Sequence, residues 1–143
     1  MTDRRIVRGR LIGNSPQDEQ FGSARAVAAG DHLYVAGCSA GSAGGDDAWG
    51  DPYEQARAAF AAGLDALAAY GLTADQVVRT RMYLTHARDA DAVALAHREL
   101  FGEVRPAVTV LVVAGLADPR SLVEIELDAY RAGLATSLEG NAP

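Results

Sequence analysis

Cysteine is nearly absent from this chain of 143 residues: Cys38 is the only one. A single thiol cannot close a disulfide within the chain, so a reducing compartment is expected. Lysine is missing altogether and every base is an arginine, a bias that carries no functional content. Basic charge is also scarce, 13 arginines against 19 acids leaving a net charge of −6. This balance argues against a nucleic-acid binder, which would show a basic face, and against attraction to anionic membrane surfaces. No apolar run approaches the roughly 20 residues needed to span a bilayer. The N-terminal "MTDRRIVRGRLIG" has arginines but no apolar core segment, so no signal peptide is expected and the protein reads as cytoplasmic. Histidines are few and scattered (His32, His86, His97) and do not cluster with Cys38 at metal-ligand spacing, so no metal is expected. "GSAGG" lacks the Lys-Ser/Thr that would make a phosphate loop.

What is present fits one ordinary domain, residues 1–131, with a tail over 132–143 expected to fray. Apolar residues make up 49% of the chain, enough for a core. "RRIVRGRLI" reads as a first strand and "NSPQDEQFGS" as a polar connection. "ARAVAAGDHLYVAGCSA" reads as a hairpin turning at Ala29-Gly30-Asp31, and "GSAGGDDAWGD" as a loop. Asp51-Pro52 opens a helix, with Asp51 as N-cap, Pro52 in the first turn and Glu54 placed as a capping-box carboxylate. Its apolar stripe is Ala56, Ala59, Phe60, Gly63, Leu64 and Leu67, and Gly71 stops it. "VVRTRMYLT" is a strand, and a second helix runs from about Asp89 to Phe101, closed by Gly102.

The segment Val104 to Tyr130 reads as two strands joined by a turn. Val108 to Ala114 is almost wholly apolar, whereas Val123, Ile125 and Leu127 alternate with Glu124, Glu126 and Asp128. The expected fold is α+β, a mixed sheet with two helices on one face. An apolar strand cannot face water on the uncovered side, so another subunit is expected to cover it.

Taken together, "SARAVAAGDHLYVAGCSA", "DPYEQARAAFAAGLDALAAYGLTADQVVRTRMYLT", "AHRELFGEVRPAVTVLVVAGL" and "LVEIELDAY" resemble the RidA/YjgF family, from about Gly13 to Tyr130. The resemblance implies a chorismate-mutase-like fold, a homotrimer with a cleft at each subunit interface, and no cofactor. In the best-studied branch it implies hydrolysis of reactive enamines and imines to 2-oxo acids and ammonia. Glu124, in "VEIE", falls on the family's water-handling glutamate. Val108, in "PAV", falls where an arginine clamps the substrate carboxylate. Ser23 or Ala24 occupies the position of a cleft tyrosine, Ala36 that of a cleft serine, and Val110 a position where the deaminases often carry cysteine. Valine supplies neither the charge nor the bidentate geometry of arginine, so the standard 2-imino acid should bind poorly.

Each candidate has a plainer reading. Glu124 is either a cleft acid/base or a solvated strand carboxylate like Glu126 and Asp128. Arg81, sharing a strand face with Arg79 and Tyr83, is either a replacement anion anchor with Tyr83 beside it or part of an ion-paired polar face. Arg105 lies near the missing anchor in sequence but precedes Pro106, in a loop. Cys38 is a cleft contact or a small buried filler. Ser39 and Ser42 offer hydroxyls, and Trp49 either lids the cleft or seals against a neighbour. His97 is expected to pack under the sheet or at its edge. Two functions follow: an enzyme acting on an imine, enamine or related reactive carbonyl compound, or a small-molecule binder or partner protein that keeps the cleft without the chemistry.

Overall fold

The computed structural model describes residues 4–13, 15–43 and 49–139. A seven-stranded mixed sheet runs in the order β1-β2-β3-β4-β7-β5-β6. Its strands are β1 (Arg5–Val7), β2 (Arg10–Ile12), β3 (Ala26–Ala29), β4 (His32–Cys38), β5 (Val77–Leu84), β6 (Ala107–Val112) and β7 (Val123–Tyr130). The helices are α1 (Pro16–Phe21), α2 (Pro52–Ala68), α3 (Ala90–Phe101) and α4 (Leu134–Glu139). The expected mixed sheet with two long helices on one face is what forms.

Alternation in β7 sets the two faces. Val123, Ile125, Leu127 and Ala129 are fully buried, whereas Glu124, Glu126 and Asp128 lie on the opposite face. α2 lies across β4 and β7, presenting Ala56, Ala59, Phe60, Gly63 and Leu67. At Gly63 the approach is so close that a Cβ would come within 2.6 Å of Leu127 Cδ1. The Asp51 cap forms as expected, its Oδ1 accepting the Glu54 N–H at 2.9 Å. α3 docks over β5 through His97, whose Nε2 lies 2.8 Å from Thr80 Oγ1 between the rings of Phe60 and Phe101. Burial there lowers the His97 pKa.

Several expectations need correction. "RRIVRGRLI" is a hairpin of β1 and β2 rather than one strand, because Arg8 and Gly9 both take positive φ (51° and 78°). The "polar connection" contains α1, started by Ser15, whose hydroxyl accepts the Asp18 N–H, with Pro16 in the first turn. The final two strands are not neighbours. β6 pairs parallel with β5, a connection that needs a crossover, and α3 provides it. β7 instead inserts antiparallel between β4 and β5. Gly102 keeps a right-handed backbone, and the left-handed residue beyond α3 is Arg105, at φ 57°. The tail does not simply fray: α4 forms, Leu134 is buried, and Asp31 accepts the Ala135 N–H at 3.0 Å. The segment read as the loop "GSAGGDDAWGD" begins inside a 3₁₀ turn at Ala40–Ala43, and its residues 44–48 lie outside the described ones.

β6 forms one edge, and its apolar side chains remain exposed: Val108 at 47%, Val110 at 45%, Leu111 at 50% and Val112 at 57%.

Candidate functional site

The three alternating carboxylates of β7 meet different surroundings. Asp128 accepts Arg81 Nη1 at 3.3 Å. Glu126 accepts the Tyr83 hydroxyl, which raises the Tyr83 pKa. Glu124 accepts no hydrogen bond among the described residues, although β5 places Tyr83 directly opposite it. Its carboxyl instead lies over Gly37, so close that a Cβ there would be 2.9 Å from Oε2. Burial, and then the neighbouring Glu126, push the Glu124 pKa above the ordinary value, with Arg25 opposing. A raised carboxyl in a concavity is a candidate proton-transfer group.

That concavity is a cavity of about 510 Å³ lined by Glu124, Arg25, Ser39, Trp49, Arg120 and Ser121, among others. The volume is within the range of small-molecule sites. Arg120 stacks over Trp49, its Cζ 4.7 Å from the ring centroid, and its Nη2 is 2.8 Å from Asp118 Oδ2. Hydrogen bonds from Arg120 hold Asp118 down at about 2. A neighbouring cavity of about 580 Å³ shares Arg25 but faces α2, with Ala62, Val35 and Cys38 in its lining and the Arg4–Asp65 pair (2.6 Å) among its polar residues. Glu124 lines only the first of the two, so the chemistry is assigned to the first cavity.

Arg25 is held firmly. Its Nε donates to Asp18 Oδ2 at 3.0 Å, its Nη1 to the Gly37 carbonyl at 3.0 Å, and Ser23 Oγ donates to Asp18 Oδ1 at 2.7 Å. Asp18 itself is buried. Sequence reasoning missed this residue: in "SARAV" it reads as the polar start of a strand, and nothing local announces a partner in α1. The one available signal was a lone charge inside an otherwise apolar segment.

The other candidates are dispersed. Arg81 is turned to Asp128 and Tyr83 to Glu126, so both are parts of an internally paired sheet face, and neither lines the Glu124 cavity. Val108 pairs with Thr80, on the face opposite Tyr83 and Glu124, so one chain does not bring Val108 and Glu124 together. Arg105 is exposed in the loop before β6. Cys38 is 2% exposed, its thiol donates to the Ala36 carbonyl at 3.3 Å, and burial pushes it up to about 11. That is a packed thiol, not an ionised nucleophile. Ser39 and Trp49 do join Glu124, as the pattern allowed.

Comparison with known proteins shows the family. The family model described as endoribonuclease L-PSP, that of the YjgF/RidA proteins, matches residues 14–131. The chain belongs to this family. An uncharacterized protein of Streptomyces coelicolor is 52% identical over 124 residues, covering 85% of this chain and 91% of that one. Among solved YjgF/RidA-like structures, a member of the YjgF/YER057c/UK114 family from Mycobacterium tuberculosis is 35% identical, with TM-score 0.75 over 90% of this chain and all (100%) of its own. E. coli TdcF, crystallised with bound serine, shares the fold at 21% identity and TM-score 0.69, over 76% of this chain and 87% of its own.

Proposed function

We propose that this YjgF/RidA-family protein is a cofactor-independent hydrolase of an imine, enamine or related reactive carbonyl-type compound, with Glu124 as its proton-transferring group. The observation that carries the reading is the raised, half-buried Glu124 carboxyl lining a ligand-sized cavity. In the forward reaction Glu124 removes a proton from water as its oxygen bonds to the imine carbon. The C=N electrons move to nitrogen, which takes up a proton from solvent. The carbinolamine then collapses: Glu124 returns its proton to the amine, the hydroxyl proton leaves to solvent as C=O forms, and C–N breaks, releasing ammonia and a carbonyl compound. The balance is R₂C=NH + H₂O → R₂C=O + NH₃, with Glu124 regenerated.

Val108 in place of the arginine that the family resemblance leads one to expect argues against a small 2-imino acid as the preferred substrate. A larger, less acidic compound suits a cavity with Trp49 and hydroxyls of Ser39 and Ser121 in its wall. The family description names an endoribonuclease, but a net charge of −6 opposes binding of a phosphate backbone. We also read the exposed β6 side chains as a surface covered in a homotrimer, which sedimentation would resolve.

The test is ammonia release from 2-iminopropanoate generated in situ, and from bulkier imines, by the wild type and Glu124→Ala. Acceleration over buffer that the variant loses supports the hydrolase. The second reading, a non-catalytic binder, is favoured by the placement of Val108 and by Arg81 being spent on Asp128. A metabolite that shifts the melting temperature and is recovered unchanged after long incubation would establish it.

A further inference from the structure

The geometry points to Arg25, held by Asp18, as the positioning residue that seats and tunes Glu124 through a bulge in β4. This rests on Glu124 being the working group. Val35 pairs with Leu127 and Cys38 with Ile125, so Ala36 and Gly37 together face the single residue Glu126. Such an extra residue bends its strand and re-aims the side chains beside it. Here the bulge carries Gly37 under the Glu124 carboxyl.

Arg25 ties the bulge down at two points. Its backbone carbonyl accepts the Ala36 N–H at 2.9 Å, and its Nη1 donates to the Gly37 carbonyl at 3.0 Å. Its own backbone N–H is fixed on Leu11 O at 2.9 Å. The remaining edge of the guanidinium lies on Asp18, whose second oxygen takes the Ser23 hydroxyl. Arg25 is 23% exposed and Asp18 7%, so little water screens the pair. A guanidinium is suited to this because its planar fork serves a carboxylate and a carbonyl at once.

Among the described residues the charges around Glu124 are few and nameable. Glu126 stands beside it on β7, and Tyr83 opposite on β5, its hydroxyl committed to Glu126. Arg25 approaches from the segment before β3, bringing Asp18 of α1 behind it. Cys38 of β4 is a neutral thiol on the core side, and Arg120 with Asp118 lines the same cavity from the connection before β7. Arg25 is the cation that opposes the upward push of burial and Glu126 on Glu124.

The experiment is a carboxyl-carbon NMR titration of Glu124 in the full-length protein, in Arg25→Met and Asp18→Asn, with Arg25→Lys as a conservative control. Removing Arg25 leaves Asp18 uncompensated, so the Glu124 midpoint moves up. Removing the Asp18 charge leaves Arg25 unopposed, so the midpoint moves down. Arg25→Lys keeps the charge and loses the fork: its midpoint stays nearer the wild type than that of Arg25→Met, while kcat on any imine turned over falls as in Arg25→Met. Opposite-signed shifts cannot come from loosened packing alone. If Arg25→Met does not fold, Asp18→Asn decides alone: a Glu124 midpoint that moves down supports the assignment, and one that is unmoved or moves up overturns it. Unmoved midpoints, or shifts of the same sign in Arg25→Met and Asp18→Asn, overturn the assignment. Absence of turnover in the wild type overturns the hydrolase reading instead and leaves the titration result standing.

Discussion

Gly37→Ala offers a clean perturbation of the site because it adds one carbon where the structure has none to spare. The new Cβ would stand 2.9 Å from Glu124 Oε2 and 3.0 Å from Cδ, against 3.4–4 Å for ordinary contact. The carboxyl must therefore retreat by about 0.5–1 Å, the difference between those values. Gly37 is not among the residues with positive φ, so alanine suits the backbone. Reduced freedom of the unfolded chain then contributes about 0.4–1 kcal/mol of stability, against the cost of moving a side chain that has room to swing. Stability should stay within about 1 kcal/mol of the wild type. Misplacing a reacting group by ~1 Å costs on the order of 10²-fold in rate, or about 2.7 kcal/mol of barrier. The assay is kcat/KM for imine hydrolysis, with thermal melting as the control. A Gly37→Ala protein that folds normally and hydrolyses imine at the wild-type rate would refute the proposed seat of Glu124.

Other outcomes follow from the same structure. Glu124 has a folded-state pKa raised above its ordinary 4.5, so the folded chain holds this proton longer than the unfolded one as pH rises. Its contribution to stability thus falls with pH. Glu124→Gln should melt above the wild type at neutral pH and lose that advantage in acid, as pH-dependent calorimetry would record. Gly63→Val forces methyl groups onto Leu127 Cδ1, where even a Cβ would sit at 2.6 Å, and should destabilise by about 1–3 kcal/mol in urea unfolding. Cys38, buried and held near 11, should resist a thiol reagent at pH 8 in the native protein and react fully once unfolded, a contrast read by mass spectrometry.

Much of the fold was legible because its signals are local. Asp51-Pro52 marked the start of α2, Gly30 the hairpin of β3 and β4, and the alternation from Val123 to Ala129 marked both faces of β7. Strand order was not legible. Nothing in the β7 pattern says that it slots between β4 and β5, since either edge would satisfy its alternation equally well. α1 was hidden for a different reason: a six-residue helix is too short to display a period, and only its Ser15-Pro16 start betrays it.

The site divides along the same line. Glu124 stood out through resemblance, while alternation alone left it equal to Glu126 and Asp128. What separates the three is which cross-strand donor leans towards each: Arg81 and Tyr83 stand opposite Glu126 and Glu124 but reach diagonally to Asp128 and Glu126, which leaves Glu124 without a donor among the described residues. Arg25 went unnoticed because its partners Asp18 and Gly37 come from α1 and from a bulge, neither of which the pattern discloses. The arginines singled out beforehand, Arg81 and Arg105, lie on another part of the sheet face and in an exposed loop.

The most direct measurement of the central claim is the pH dependence of kcat/KM for imine hydrolysis by the wild type and Glu124→Gln. If Glu124 takes the proton from water, the wild-type profile has an acid limb with its midpoint above 4.5, the ordinary glutamate value, and the variant loses both the limb and most of the rate. A wild-type limb that Glu124→Gln retains unchanged, at an undiminished rate, would contradict the account.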